Sequence, residues 1–411
     1  MRFTAVITAI ALYATVGPTH ELSAQQGGQD PHMEKARRVL KETPLFDGHN
    51  DLPWAIRENE AAPHDVVAYD LRGHTKGHTD IERIRTGMLG AQFWSVYVPY
   101  TPVDQGAARI QLEQMDIAKQ IFARYPEVFE ETLTPDAVIR AFRAGRVASV
   151  MGMEGGHVIE NSLGALRAFY DMGARYMTLT HGSNIDWADS GTDQPVHHGL
   201  TGFGKEVVRE MNRLGMLVDL SHTSPETMND ALDVAEAPVI FSHSAARALV
   251  DHPRNVPDQV LARLKQNGGL VMVTFVPSFT NNAAKTWSEL PAEQRAATPE
   301  PRSTLGDVAD HIEHIRNVAG IEHVGIGGDF DGITSVPVGL EDVSRYPMLF
   351  AELSRRGWSE ADLRMLAGEN VLRVWRQAIE AATRIRKQRG PSTKTIEQMD
   401  GARTSTPAPA R

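Results

Sequence analysis

The stretch PLFDGHNDLPW, residues 44–54, ends an apolar run in two potential ligands, His49 and Asp51. Side chains alternate across a strand, so a strand through this stretch projects both residues from one face. Two ligands on one face can grip one metal ion. The pair alone is a weak signal, because His-x-Asp also arises by chance and a lone histidine is often a hydrogen-bonded part of the core. It gains weight from residues in the same kind of place. Glu154 ends the run VASVMGMEG, His181 ends RYMTLTH, His222 ends MLVDLSH, His243 ends PVIFSH and Asp329 lies in HVGIGGDFD. Several such residues, each at the carboxyl end of an apolar run, are hard to explain as packing.

The residue types define the chemistry. The 411 residues include no cysteine, so a soft-metal site must use His, Asp and Glu. Four histidines and three carboxylates suit zinc or another borderline divalent ion. Seven candidates exceed one tetrahedral ion, and a two-metal site with a bridging carboxylate fits the count better. Two ions about 3.5 Å apart can hold a bridging hydroxide and polarise the carbonyl that it attacks. That chemistry is hydrolysis.

The elements that must position these residues alternate. Eight strand candidates (the runs above with GAQFWSVYV and GLVMVTF) are separated by amphipathic segments such as RIQLEQMDIAKQIFARY, GKEVVREMNRLG and LGDVADHIEHIRNVAG. In SHTSPETMNDAL, Thr223 or Ser224 can cap a helix with Pro225 in its first turn. Strands alternating with helices predict a parallel sheet, and eight over about 350 residues predict a closed (β/α)8 barrel of the TIM type. An open doubly wound sheet is the runner-up. In a barrel the carboxyl ends of the strands surround one mouth, where active sites of this fold lie.

Composition agrees with one large globular domain: 41% hydrophobic, 23% charged, net charge −10. No basic stripe interleaved with aromatics appears, so no nucleic-acid partner is expected. The first 24 residues read as a secretory signal with cleavage after Ala24. A secreted or periplasmic location follows, with the cytoplasm as the alternative. Residues 33–385 form the expected hydrolase barrel, and 386–411 read as a polar, disordered tail. No transmembrane anchor is expected, nor a lipid anchor, since no apolar C-terminal stretch follows. A homodimer is the one assembly allowed for.

DGHNDLPW, MEGGHVIENSLGALRAFYDMGARYMTLTH, LVDLSHTSPETM, VIFSHSAARAL, HPRNVPD and GIGGDFDG resemble, in order, the motifs of the membrane (renal) dipeptidase family of zinc peptidases. The resemblance covers roughly residues 33–380. It implies a barrel of the amidohydrolase type that carries two Zn2+ per chain and hydrolyses dipeptides, both L,L and L,D. Carried over motif by motif, it implies that His49 and Asp51 bind one zinc, that Glu154 bridges both, and that His222 and His243 bind the second. It further implies that His181 contacts substrate and stabilises the oxyanion, and that Arg254 holds the substrate carboxylate. Asp329 would contact substrate and carry the proton from the bridging water to the leaving amine. The chain departs from animal members in lacking cysteines. The polar insertion at 277–304 leaves substrate preference open.

Two other readings remain. Barrel amidohydrolases acting on other small amides or esters commonly use His-x-His on the first strand and a modified lysine on the fourth. Here the first strand gives His-x-Asp, and RYMTLTH holds no lysine. A non-catalytic periplasmic metal- or peptide-binding protein would not need Asp329. His157, His197 and His198 are expected in loops, the latter two near the mouth, and DWADSGTDQ lacks the pattern of a calcium loop.

Overall fold

The computed structural model describes residues 30–401. The expected signal segment, 1–24, lies outside the described residues, as do 402–411 of the expected tail. Eight parallel strands build the barrel: β1 Leu45–Asn50, β2 Leu89–Ser95, β3 Val147–Glu154, β4 Ala174–Thr178, β5 Leu217–Asp219, β6 Ile240–Ser244, β7 Leu270–Val273 and β8 Val324–Ile326. Their order is β2-β1-β8-β7-β6-β5-β4-β3, and pairing of β2 with β3 closes the sheet. The predicted (β/α)8 barrel is therefore the fold. A short outer strand, Phe129–Glu131, pairs with residues 147–149 of β3, while β4 pairs with residues 151–154.

Local sequence explains the alternation. Helices start where a short polar side chain caps them: Thr134, Ser162, Thr201 and Ser224 each accept a first-turn N–H. At the fifth strand-to-helix turn, Ser224 rather than Thr223 caps, with Pro225 at the first helical position. Thr304 and Asp307 form a reciprocal capping box. Alternate strand residues fill the barrel. Phe46, Phe93, Val150, Tyr176 and Met272 share one buried cluster with Trp375 of the helix Asn370–Gln388. The opposite strand faces, such as Val147, Met151 and Met153 of β3, pack into the larger layer beneath the outer helices. Among the described residues no helix is long and apolar enough to cross a membrane.

The insertion and the tail region both carry structure, and in the tail this corrects an expectation. The insertion 277–304 folds into three short helices, Pro277–Thr280, Asn282–Ser288 and Ala292–Ala297. The region from 386 to 401 is ordered. The long helix runs to Gln388, Ile396 is buried, and the Asp400 carboxylate accepts the N–H of Phe203 at 3.1 Å. The buried Ile396 and the Asp400 carboxylate at the helix start, with Arg389 bonded to Glu236 and the Ser392 N–H to Glu210, seat a segment whose composition is polar.

Candidate active site

The eight residues singled out from sequence meet at the carboxyl ends of the strands. Glu154 is the last residue of β3 and faces inward by simple alternation from Ala148, Val150 and Gly152. His49 and His243 do not follow that rule. Phe46 on β1 and Ile240 on β6 point into the barrel cluster, which would send His49 and His243 outward. Register shifts between Asp47 and Asn50, and between Phe241 and Ser244, turn both rings back toward the mouth. Asp51 lies past the end of β1 with φ −96 and ψ 25. It therefore joins His49 through a turn, not through the strand alternation expected from sequence. His181, His222 and Asp329 sit three residues beyond Thr178, Asp219 and Ile326.

Glu154 is the centre. Its Oε2 lies 3.3 Å from His49 Nε2, which lies 3.2 Å from Asp51 Oδ2. Its Oε1 lies 3.1 Å from His222 Nε2 and 3.3 Å from His243 Nε2. The two carboxylate oxygens thus face two different donor sets, His49–Asp51 and His222–His243, each of metal-ligand type. His49, His243 and Asp329 form a third group within ligand reach. His181 Nε2 stands back at 3.8 Å from Glu154 Oε1, with its side chain 29% exposed at the rim.

Neighbouring groups fix which nitrogen points inward. The Ser242 hydroxyl donates to Asp219 Oδ2 at 2.6 Å, so its oxygen accepts from His243 Nδ1–H at 2.8 Å. The lone pair of His243 Nε2 then faces Glu154, acceptor against acceptor. Such a pair needs positive charge between its members, a proton in the bare chain or a cation when one is bound. His49 Nδ1 lies 3.0 Å from the Tyr176 hydroxyl, and Gly152 makes room for that ring: a Cβ there would lie 2.1 Å from it. His49 Nε2 and Asp51 Oδ1 are buried with no hydrogen-bond partner. Two of the ligand groups, His49–Asp51–Glu154 and Glu154–His222–His243, each offer the kind of donors that a borderline divalent ion takes.

The electrostatics agree. Burial alone would raise Glu154, but positive charge on His49 beside it, with the rings of His222 and His243 close by, outweighs that and holds it well below the usual carboxylate range. Burial pushes His222 and His243 well below the ordinary imidazole value, leaving both in the neutral form that ligates. For Asp329, burial and the neighbouring Asp51 and Glu154 push the carboxyl up to about 8, against the opposing effect of His49 and Arg254. Cations bound beside it would draw that value down again. Asp329 and His222 both hold left-handed backbone, with φ 64 and φ 68. Non-glycine residues adopt this conformation rarely, and surrounding structure must enforce it.

Arg254 is 3% exposed beside β6. It donates to the carbonyl of His243 at 3.1 Å and lies over the Phe279 ring at 5.3 Å. Among the described residues its guanidinium forms no ion pair, and Asp258 pairs instead with His314. A charge buried without a counterion is costly unless a ligand supplies one.

His157, His197 and His198 lie outside the candidate ligand groups. His157 Nε2 bonds the carbonyl of Pro99 at 3.1 Å, His197 Nε2 bonds the carbonyl of Ile185 at 2.9 Å, and His198 is exposed. Sequence reasoning missed Ser95, whose hydroxyl donates to Glu154 Oε2 at 3.1 Å. Ser95 ends β2, so the strand-end signal that found Glu154 was available for it too. Asp219 ends β5 and carried it as well, whereas Tyr176 and Ser242 lie inside their strands and had no such signal. Ser242→Ala should leave His243 Nδ1 without its acceptor. Metal affinity by chelator competition should fall about 10–100-fold, as for other groups that orient a ligand. Unchanged affinity would remove Ser242 from this role.

Comparison with known proteins finds a matching family and similar structures. The family model "Membrane dipeptidase (Peptidase family M19)" matches residues 33–389. The crystal structure of the probable dipeptidase PvdM from Pseudomonas aeruginosa is similar at 25% identity and TM-score 0.76, over 86% of this chain and 100% of that one. A metallopeptidase from Rhodobacter sphaeroides, liganded with a phosphinate mimic of the dipeptide L-Ala-D-Ala, is similar at 25% identity and TM-score 0.72, over 82% and 99%. A dipeptidase of peptidase family M19 is similar at 26% identity and TM-score 0.72, over 82% and 98%.

Proposed function

Because the chain belongs to the membrane dipeptidase family of metallopeptidases, we propose that it hydrolyses dipeptides, L,L and L,D, with two zinc ions bound at the barrel mouth. The observation that carries this reading is the convergence of His49, Asp51, His222 and His243 on the two oxygens of Glu154. Bound there, two divalent ions supply Lewis-acid activation of the attacking water and of the scissile carbonyl. The chain's own residues do the rest. Asp329 accepts a proton from the water as its oxygen bonds the carbonyl carbon. It then passes that proton to the amine nitrogen as the C–N bond breaks. His181, at the rim, donates to the developing oxyanion. Arg254 pairs with the free carboxylate one residue beyond the scissile bond. The ligand of the Rhodobacter protein, a mimic of a dipeptide ending in a D-residue, supports including the L,D class.

Metal-replete protein should turn over free L,L- and L,D-dipeptides. Loss of all turnover on both, with activity on another small amide or ester, would move the chain to a different reaction of the same barrel type.

The Arg254 assignment has its own test. Arg254→Ala should lower kcat/KM sharply for free dipeptides and little for dipeptide amides. Removing one side of a charged hydrogen-bonded pair costs on the order of 2–5 kcal/mol. Equal losses on both substrates would mean that Arg254 only shapes its loop against His252 and Phe279.

We also assign the chain to an exported location, on the pattern of its first 24 residues. Protein isolated from its native host should begin near Gln25 and lie outside the cytoplasm. An intact Met1 end in a cytosolic fraction would defeat this.

A further inference from the structure

One buried carboxylate beside the mouth takes no part in the chemistry assigned above. Asp331 stands two residues after Asp329, its side chain 1% exposed. Its Oδ1 accepts the backbone N–H of His78 at 2.6 Å, and its own N–H donates to His78 Nδ1 at 3.0 Å. These reciprocal bonds join segments 253 residues apart in the chain. Gly77 permits the approach, since a Cβ there would lie 2.1 Å from Asp331 Oδ1. The other oxygen, Oδ2, is buried short of a full hydrogen bond, with the Thr79 hydroxyl beside it. Thr79 Oγ1 accepts from Asn50 Nδ2 at 2.9 Å, so its own proton is free to turn toward Asp331. Asn50 is the residue between His49 and Asp51.

The segment so gripped is the one that carries Asp329. Both Asp329 and Asp331 are left-handed, with φ 64 and φ 65. On its inner side the segment is held by β1, through Asp329 N–H to the His49 carbonyl at 3.1 Å and Asp51 N–H to the Phe330 carbonyl at 2.9 Å. On its outer side the contact is Asp331 with His78 and Thr79. Two strained residues in three need restraint from both sides.

We propose that Asp331 is a positioning residue: clasped to His78 and Thr79, it holds the Asp329 turn against the end of β1. The proposal rests on the proton-carrying role given to Asp329. It places the effect of Asp331 on the chemical step, because substrate carboxylate binding belongs to Arg254 and ion binding to the Glu154 group.

The test compares Asp331→Ala with Asp331→Asn in full-length, metal-replete protein. Each is assayed for dipeptide turnover and for backbone hydrogen exchange across residues 327–332. An asparagine keeps an oxygen for the His78 N–H and an amide that can donate to Thr79, so it should restore most of kcat. Misplacement of a catalytic group by about 1 Å can cost about 10²-fold, so the alanine variant should lose roughly 30- to 100-fold in kcat with KM within about threefold. Exchange across 327–332 should quicken in the alanine variant alone, with metal content unchanged. An alanine variant within about threefold of wild-type kcat would overturn the proposal, given the expected cost of misplacement. So would an asparagine variant as impaired as alanine, or a loss confined to KM. If Asp331→Ala does not fold, Thr79→Val removes only the hydroxyl and should lower kcat about tenfold at constant KM, a smaller misplacement; unchanged kcat overturns the clasp. If wild type hydrolyses no dipeptide, the functional reading fails by itself. The exchange comparison then still decides the clasp, because equal protection in wild type and Asp331→Ala overturns it.

Discussion

Replacing Glu154 with Gln is expected to leave a folded barrel that retains neither ion. The amide is nearly isosteric, so packing at the end of β3 should survive. The charge does not survive, and Glu154 is the one residue in both ligand groups on the His49–Asp51 and His222–His243 sides. Groups that merely orient a ligand change metal affinity about 10–100-fold, so losing a shared anionic ligand should weaken both ions by more than about 100-fold. Metal analysis after dialysis against a weak chelator reads this directly. Loss of one ion with full retention of the other would restrict Glu154 to one site. Wild type that holds at most one ion after zinc reconstitution would end the dinuclear assignment.

Asp329→Asn should keep both ions and lose most turnover. An amide cannot accept the proton of the attacking water, and general acid–base help is worth about 10²–10⁴-fold. The position suits the role: Asp329 is partly exposed in the mouth, close enough to His49 and His243 to share a ligand group with them. That proximity also supplies the competing reading. If the asparagine variant loses metal, Asp329 is a ligand; if it retains metal and turns over within a few-fold of wild type, the proton takes another route.

Much of this site was legible because parallel barrel strands end in one place. A polar residue closing an apolar run is a one-dimensional mark of a three-dimensional mouth, and Glu154, His222 and Asp329 all carry it. What could not be read was orientation. His49 and His243 face inward only because register shifts override alternation, and a register shift depends on the neighbouring strand. Asp51 reaches its place through a turn. The Asp219–Ser242–His243 relay joins residues on β5 and β6 whose adjacency is a product of the fold. The outer strand Phe129–Glu131 is three residues long, too short for any periodicity to mark it. The ordered segment around Ile396 was misread because a polar composition hides one anchoring side chain.

That outer strand has a bearing on how the protein behaves at high concentration. Closure of β2 onto β3 removes the free edges that an open sheet would offer to other chains. The outer strand restores one. It pairs only with β3, and its far side has no strand partner among the described residues. An unpaired edge is a template for edge-to-edge association and, through it, for aggregation. Here the template is small and charged, with Glu130 and Glu131 making up two of its residues and Gly145 and Arg146 leading into the strand it borders. Glu130 pairs with Arg146 at 2.5 Å and Glu131 with Lys119 at 3.8 Å, so the edge is occupied by ion pairs of its own, and three residues give little ladder to a second chain. The seam that the barrel leaves open among the described residues is thus guarded by its own shortness, which denies a second chain a ladder long enough to hold.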